Sequence, residues 1–257
     1  MTSQDAITGN LNNILVVFDS VGCDTVSIQT VFQLATQLNL GLQVLYIEDV
    51  NLLDTVELPF TREISMHSAE IVPLDTRSIM QQLRSEADKL KQQIEFKAQS
   101  LQLSYSFNSV RGEIIQVVKN RINEVRFLFI PAVYSSSGMK SKQNIKQTVA
   151  LVYDMSSHSK DTALNIAINY AKKIHAQLFI LTNQESSIAY IQKSVLGHGV
   201  NAICQLLDIS HLDAVVSVLI KHLPDLVVMS EDSYFKLEDD SSKSSVQSLE
   251  ADILLLR

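Results

Sequence analysis

The sequence predicts an α/β protein made of two tandem units, each a parallel sheet with helices on both faces. The first observation is a repeat: Leu15-Val16-Val17-Phe18-Asp19 and Ala150-Leu151-Val152-Tyr153-Asp154 are two versions of one segment. The second is that the repeat stays in step, since Asp19 stands 22 residues before Gly41 and Asp154 stands 22 residues before Ala176. Between those markers each version runs through a strand, a polar turn, a helix apolar on one face and a second strand, which is a duplicated β-α-β unit. The third is that strands go on alternating with helices to the end of the chain, the pattern of a parallel sheet covered on both sides.

The elements follow in order. Apolar runs predict strands at 14–19 and 42–48, and Ile28, Val31, Phe32, Ala35 and Leu38 mark the buried face of a helix over 27–39. Residues 49–74 show no period and read as an irregular segment. Asp75 is a candidate N-cap for a long helix over 75–101, whose Ile79, Leu83, Ala87, Leu90, Ile94, Ala98 and Leu101 recur every three or four residues. That stripe reads as a face laid on its own sheet, the alternative being a coiled-coil contact. A strand at 103–110, a helix at 113–122 and a strand at 125–131 complete the first half. The second half reads strand 149–154, helix 161–174 (Ala163, Ala167, Ile168, Ala171, Ile174), strand 177–182, a short helical or irregular piece 186–198, strand 202–208, helix 211–222 and strand 225–230. A polar acidic loop over 231–243, a short helix near 244–250 and a strand at 251–256 close it. The serine-rich acidic run 231–245 reads as solvated loop, and Gly197-His198-Gly199 as a flexible turn.

The early strands of the two halves are offset by 135 residues and the late ones by 99, so the second half is 36 residues shorter. The missing piece corresponds to the irregular segment and most of the long helix. The expected units are therefore 1–147 and a shortened 148–257. Only 132–147 separates the last strand of the first half from the second, too little for a loop, a helix and a strand of ordinary length. The first unit is expected to lack a fifth strand of its own, and the open edge beside 126–130 to be covered by 134–146, by a strand of the second half or by a second chain.

Composition narrows the function classes. The 257 residues are 46% hydrophobic and 19% charged, enough for two cores of ordinary size, one per half. No apolar run reaches the roughly 20 residues of a membrane helix, and Met1 to Asn10 lacks a basic start and an apolar stretch, so the expected address is cytoplasmic, with no membrane partner. A net charge of −7 and a pI near 5.3 argue against nucleic acid as a partner. Cys23 and Cys204 form no CxxC pair and read as free thiols. The six histidines show no HxH, HExxH or Cys/His spacing, so no metal is expected. No Walker lysine loop, GxGxxG or GxSxG elbow is present, which leaves no signature for an enzyme.

Asn13-Ile-Leu-Val-Val-Phe-Asp19, Leu42-Gln-Val-Leu-Tyr-Ile-Glu-Asp49, Glu57-Leu-Pro-Phe-Thr-Arg-Glu63 and Ser106-Phe-Asn-Ser-Val-Arg-Gly112 carry a resemblance to the universal stress protein family, in a tandem two-domain form. The resemblance implies flavodoxin-like layering around five-stranded parallel sheets, dimeric or pseudo-dimeric pairing, and a role in stress adaptation or regulation. Nucleotide-binding members of that family set ATP phosphates on a loop of the form G-x2-G-x9-G-(S/T) after the fourth strand. Its glycines let backbone N–H groups close around phosphate oxygens at a helix N-terminus. Here that place reads Pro131-Ala-Val-Tyr-Ser-Ser-Ser-Gly138 in the first half and Ser230-Glu-Asp-Ser-Tyr-Phe-Lys-Leu-Glu-Asp-Asp240 in the second, so the loops are degenerate and no nucleotide cofactor is expected.

The candidate crevice residues are those at strand ends, where open α/β sheets take ligands. Asp19, with Ser20 and Gly22 after it, and Asp154 close the first strands. The resemblance gives such an Asp a contact to adenine, whereas an Asx-type turn needs no ligand. Glu48 closes the second strand, and Arg111-Gly112 supplies the basic group at the third. Glu57 to Glu63 reads as a lid, a docking surface or a structural plug through Phe60. The functional expectation is a non-enzymatic regulatory protein that works through protein association, as a homodimer or with another partner. The alternative is an ATP- or AMP-binding switch or weak ATPase in the first crevice.

Overall fold

A computed structural model of the chain describes residues 12–19, 25–50, 62–64, 71–73, 76–132, 147–209, 212–239 and 249–257. In chain order the elements are β1 (Asn13–Asp19), α1 (Thr25–Leu38), β2 (Gly41–Asp49), β3 (Arg62–Ile64), β4 (Ile71–Pro73), α2 (Thr76–Ser100), β5 (Tyr105–Gly112), α3 (Ile114–Arg121) and β6 (Phe127–Ile130). The second half follows with β7 (Thr148–Tyr153), α4 (Lys160–Lys173), β8 (Gln177–Thr182), α5 (Glu185–His198), β9 (Ala202–Leu206), α6 (Leu212–His222), β10 (Leu226–Ser230), α7 (Glu231–Asp239) and β11 (Asp252–Leu256). The architecture is α/β with a mostly parallel sheet.

Nine strands form one sheet in the order β5-β2-β1-β6-β11-β10-β7-β8-β9. The outer four on each side repeat the same order, third-second-first-fourth. The strand between them, β11, is parallel to β10 (Leu226↔Asp252 to Ser230↔Leu256) and antiparallel to β6 (Ile253↔Ile130 to Leu256↔Phe127). Both sides of β6 are thus taken, by β1 and β11, so the first half borrows its fifth strand from the second. Two separate sheets were expected. One continuous sheet results because every residue of β11 is buried and each of its two hydrogen-bonding edges has a partner.

The core is divided by sheet face, not by half, which corrects the expectation of one core per half. Alternation sends Leu254 and Leu256 to the face covered by α1, α2, α4 and α5, with Phe18, Phe32, Phe127, Phe129 and Tyr153. It sends Ile253 and Leu255 to the face of α3, α6 and α7, with Leu128, Phe179 and Met229. Each core draws on both halves, so the apolar burial that stabilises one half is continuous with that of the other.

Local chemistry explains the element ends. α1, α2, α4 and α6 stop at residues in the left-handed region, Asn39, Gln102, His175 and Leu223. α5 runs through His198 to a left-handed Gly199 (φ 68°), so Gly197-His198-Gly199 is a helix end with its C-cap, not a flexible turn. Gly41 opens β2 where any Cβ would collide with the Ser104 and Asn13 side chains. The segment read as irregular contains the antiparallel pair β3–β4. The predicted acidic loop is helical over 231–239, because Ser233 and Tyr234 turn inward while Glu231 and Asp232 occupy a first turn that favours negative charge. α2 lays Leu90, Ile94 and Ala98 on the sheet, buries Leu83, and leaves Phe96 78% exposed.

Candidate functional site

Parallel strands end together, and the registers place the candidate residues. Asp19 closes β1 opposite Ile47. On the neighbouring pair, Glu48 stands opposite Arg111 and Asp49 opposite Gly112. The carboxyl ends of β1, β2 and β5 therefore make one edge. There Arg111 Nη2 donates to Glu48 Oε2 at 3.2 Å and lies 3.7 Å from Met80 Sδ on α2. The Ser109 hydroxyl reaches Glu48 Oε1 at 3.4 Å. The Arg111 side chain remains 53% exposed, so this edge presents a cation already paired with a carboxylate. Such a pair is available to an incoming anion only if Glu48 gives way. Ser20 and Gly22, which complete the predicted crevice, lie outside the described residues, as do Cys23 and residues 57–61 of the candidate docking segment.

Asp154 does not join this set. Because β11 is antiparallel to β6, the carboxyl ends of β7, β8 and β10 face the opposite end of the sheet. Asp154, 6% exposed, accepts from the Ser156 backbone N–H at 2.9 Å and the Ser156 hydroxyl at 2.7 Å, the hydrogen bonds of an Asx turn. Around it the second edge is closed by hydroxyls. Thr182 Oγ1 meets Ser187 Oγ at 2.8 Å, Ser230 Oγ meets Ser233 Oγ at 2.8 Å, and Ser157 Oγ meets Ser159 Oγ at 3.0 Å. All six side chains are buried. β10 passes into α7 with no intervening residue, and that helix opens on Glu231 and Asp232. Burial raises the Glu231 carboxyl, with Arg257 (4.0 Å) opposing the shift and Asp232 adding to it.

Sequence reasoning missed Asp252. It is 1% exposed, and its Oδ1 accepts from the Ser27 hydroxyl at 2.6 Å and from the Ala132 backbone N–H at 3.0 Å. A carboxylate from the second half thus sits between the first turn of α1 and the end of β6, satisfying donors of the first half. The available signal was its period-two alignment with Leu254 and Leu256, which puts Asp252 on an inward face. Cys204 is half-buried on β9, where burial pushes the thiol up and away from thiolate chemistry. Among the described residues, no group of three His, Cys, Asp or Glu is placed to hold a metal ion, and no helix is long and apolar enough to cross a membrane.

No family model matches the sequence, and no relative is found among curated proteins. Solved structures do match. A universal stress protein from Archaeoglobus fulgidus DSM 4304 superposes with a TM-score of 0.51 at 10% identity, over 95% of this chain and 96% of its own. The fold is that of a universal stress protein. A second universal stress protein from Archaeoglobus fulgidus aligns at a TM-score of 0.33 and 9% identity over 44% of this chain and 95% of its own. One solved in complex with cAMP aligns at 0.33 and 18% identity over 44% and 98%.

Proposed function

We propose that this chain is a tandem two-domain member of the universal stress type, with units 1–147 and 148–257, that has given up nucleotide binding and acts as a non-enzymatic regulatory protein through protein association in the cytoplasm. The observation that carries the reading is the second carboxyl edge. Where a phosphate loop would stand, β10 enters a helix whose first turn holds two carboxylates, and the space over the strand ends is taken up by paired hydroxyls. A triphosphate brought there meets repulsion instead of backbone N–H groups. At the first edge the donors beside β6 already serve Asp252. Association is favoured by exposed apolar side chains on outer elements, Ile203 and Leu206 on the edge strand β9 and Phe96 and Leu101 around α2.

A second reading, a nucleotide switch in the first crevice, rests on the exposed Arg111 beside Glu48 and Asp19 at one edge. Titration calorimetry with ATP, ADP and AMP in the presence of magnesium separates the two. The expected result is no saturable heat. Saturable binding that Arg111→Gln removes would establish the switch instead.

A further inference from the structure

The seam between α1 and α4 is sealed at one end and open at the other. At the sealed end the Tyr170 hydroxyl donates to Gln33 Oε1 at 3.1 Å and the Lys173 ammonium to the Gln33 carbonyl at 3.3 Å. One turn further along α1, Gln37 Oε1 is buried and has no hydrogen-bond partner, which is a costly state for an acceptor. It borders a cavity of about 300 Å3 floored by Leu38, Phe127 and Ile166. Asn165 and Asn169, one turn apart on α4, and Arg126 form its polar wall. Both Asn side chains are exposed at the mouth of the cavity, and among the described residues neither amide has a protein hydrogen-bond partner, so both are open to a ligand. Arg126 lies 5.2 Å from the Phe127 ring, and no carboxylate of those residues pairs with it. In a chain of net charge −7, an arginine with no paired carboxylate among the described residues puts an uncompensated cation at the rim of the cavity.

We propose that this groove is a binding site for a small carboxylate that carries an amide N–H, of the acyl-amino-acid type. The planar guanidinium fork of Arg126 matches a carboxylate. Gln37 Oε1 requires a donor, which an amide N–H supplies, and the Asn165 and Asn169 amides complement the same group from the other side. The apolar floor takes an aliphatic side chain. A volume near 300 Å3 at a junction between two halves is at the small end of ligand pockets, which run from about 300 to 1,000 Å3.

The probes are N-acetyl-L-leucine and its uncharged counterpart N-acetyl-L-leucinamide, titrated into the full-length 15N-labelled protein while the Asn and Gln side-chain amide signals are followed by NMR. The acid is expected to give saturable shifts of Gln37, Asn165 and Asn169, with the amide binding about tenfold more weakly because it lacks the charge-assisted pair. Arg126→Gln, a change at an exposed side chain, should fold normally by circular dichroism and bind the two probes equally. Asn165→Ala with Asn169→Ala should weaken both probes. The proposal is overturned if neither probe shifts these signals, if the acid and the amide bind alike to the unchanged protein, or if Arg126→Gln keeps the preference for the acid.

Discussion

The two carboxyl edges of this sheet stand on equivalent scaffolds and have opposite chemistry. The first ends in charged groups, Asp19 and the paired Glu48 and Arg111, with the arginine half in solvent. The second ends in buried serines and a threonine that hydrogen-bond one another. Strand order is shared, so the difference lies in which side chains follow each strand. The strand between the halves repeats the contrast. β11 begins with Asp252, which serves donors at the first edge, and is followed by Arg257, which faces Glu231 at the second. A repeated fold therefore constrains where a site can form while leaving its contents free to diverge.

The largest effect should come from the element both halves share. Leu254→Asp puts an unpaired charge at the centre of β11 and is expected to cost more than about 4 kcal/mol, so that neither half folds. Circular dichroism and proteolysis check it, and survival of an intact second half would show that the halves stand independently. Asp252→Ala leaves the Ser27 hydroxyl and the Ala132 N–H without their acceptor and is expected to cost about 3 kcal/mol in urea unfolding. A loss under about 0.5 kcal/mol would mean the carboxylate has no structural role across the junction.

Comparison of the edges also shows what a sequence can reveal. The strands were legible because Leu15 to Phe18 and Ala150 to Tyr153 are continuous apolar runs, as double-sided burial demands. Glu48 and Arg111 were legible as polar residues at strand ends. The direction of β11 against β6 was not, since periodicity records which face is buried and says nothing of the partner or its polarity. α7 was hidden because its acidic residues dominate its composition, while its inward face is marked by a serine and two aromatics, Ser233, Tyr234 and Phe235. α5 was understated because its buried Ile191 and Val195 are separated by polar residues. The hydroxyl pairs at the second edge were invisible, because Ser and Thr a few residues apart are common in solvated turns and their spacing does not tell a buried pair from an exposed one.

Smaller effects sharpen the contrast. Thr182→Val removes one of the two partners of the buried Ser187 hydroxyl, which keeps its bond to the Gln184 carbonyl, and should cost about 1 kcal/mol, by denaturant titration. Glu48→Gln at the open edge should change stability by less than about 1 kcal/mol, as an ion pair with a half-exposed arginine contributes little. A larger loss at Glu48 than at Thr182 would reverse the assignment of open and sealed edges. Smallest is the effect of acidity at Glu231. Its folded-state pKa is raised, so the folded protein holds that proton more tightly than the unfolded chain, and stability falls as pH rises through the window above the ordinary carboxyl value of 4.5. Glu231→Gln should therefore stabilise slightly at neutral pH, with the difference vanishing as pH falls below that window. Thermal melts from pH 4 to pH 7 would detect the convergence.

Hydrogen exchange read by mass spectrometry, with and without ATP and magnesium, reports on both edges in one experiment. The expected result is unchanged protection over 45–50 and 107–114 at the first edge and over 153–160, 182–188 and 228–235 at the second. Protection gained at the first edge and lost again in Arg111→Gln, or gained at the second around α7, would contradict the claim that this fold works here without a nucleotide.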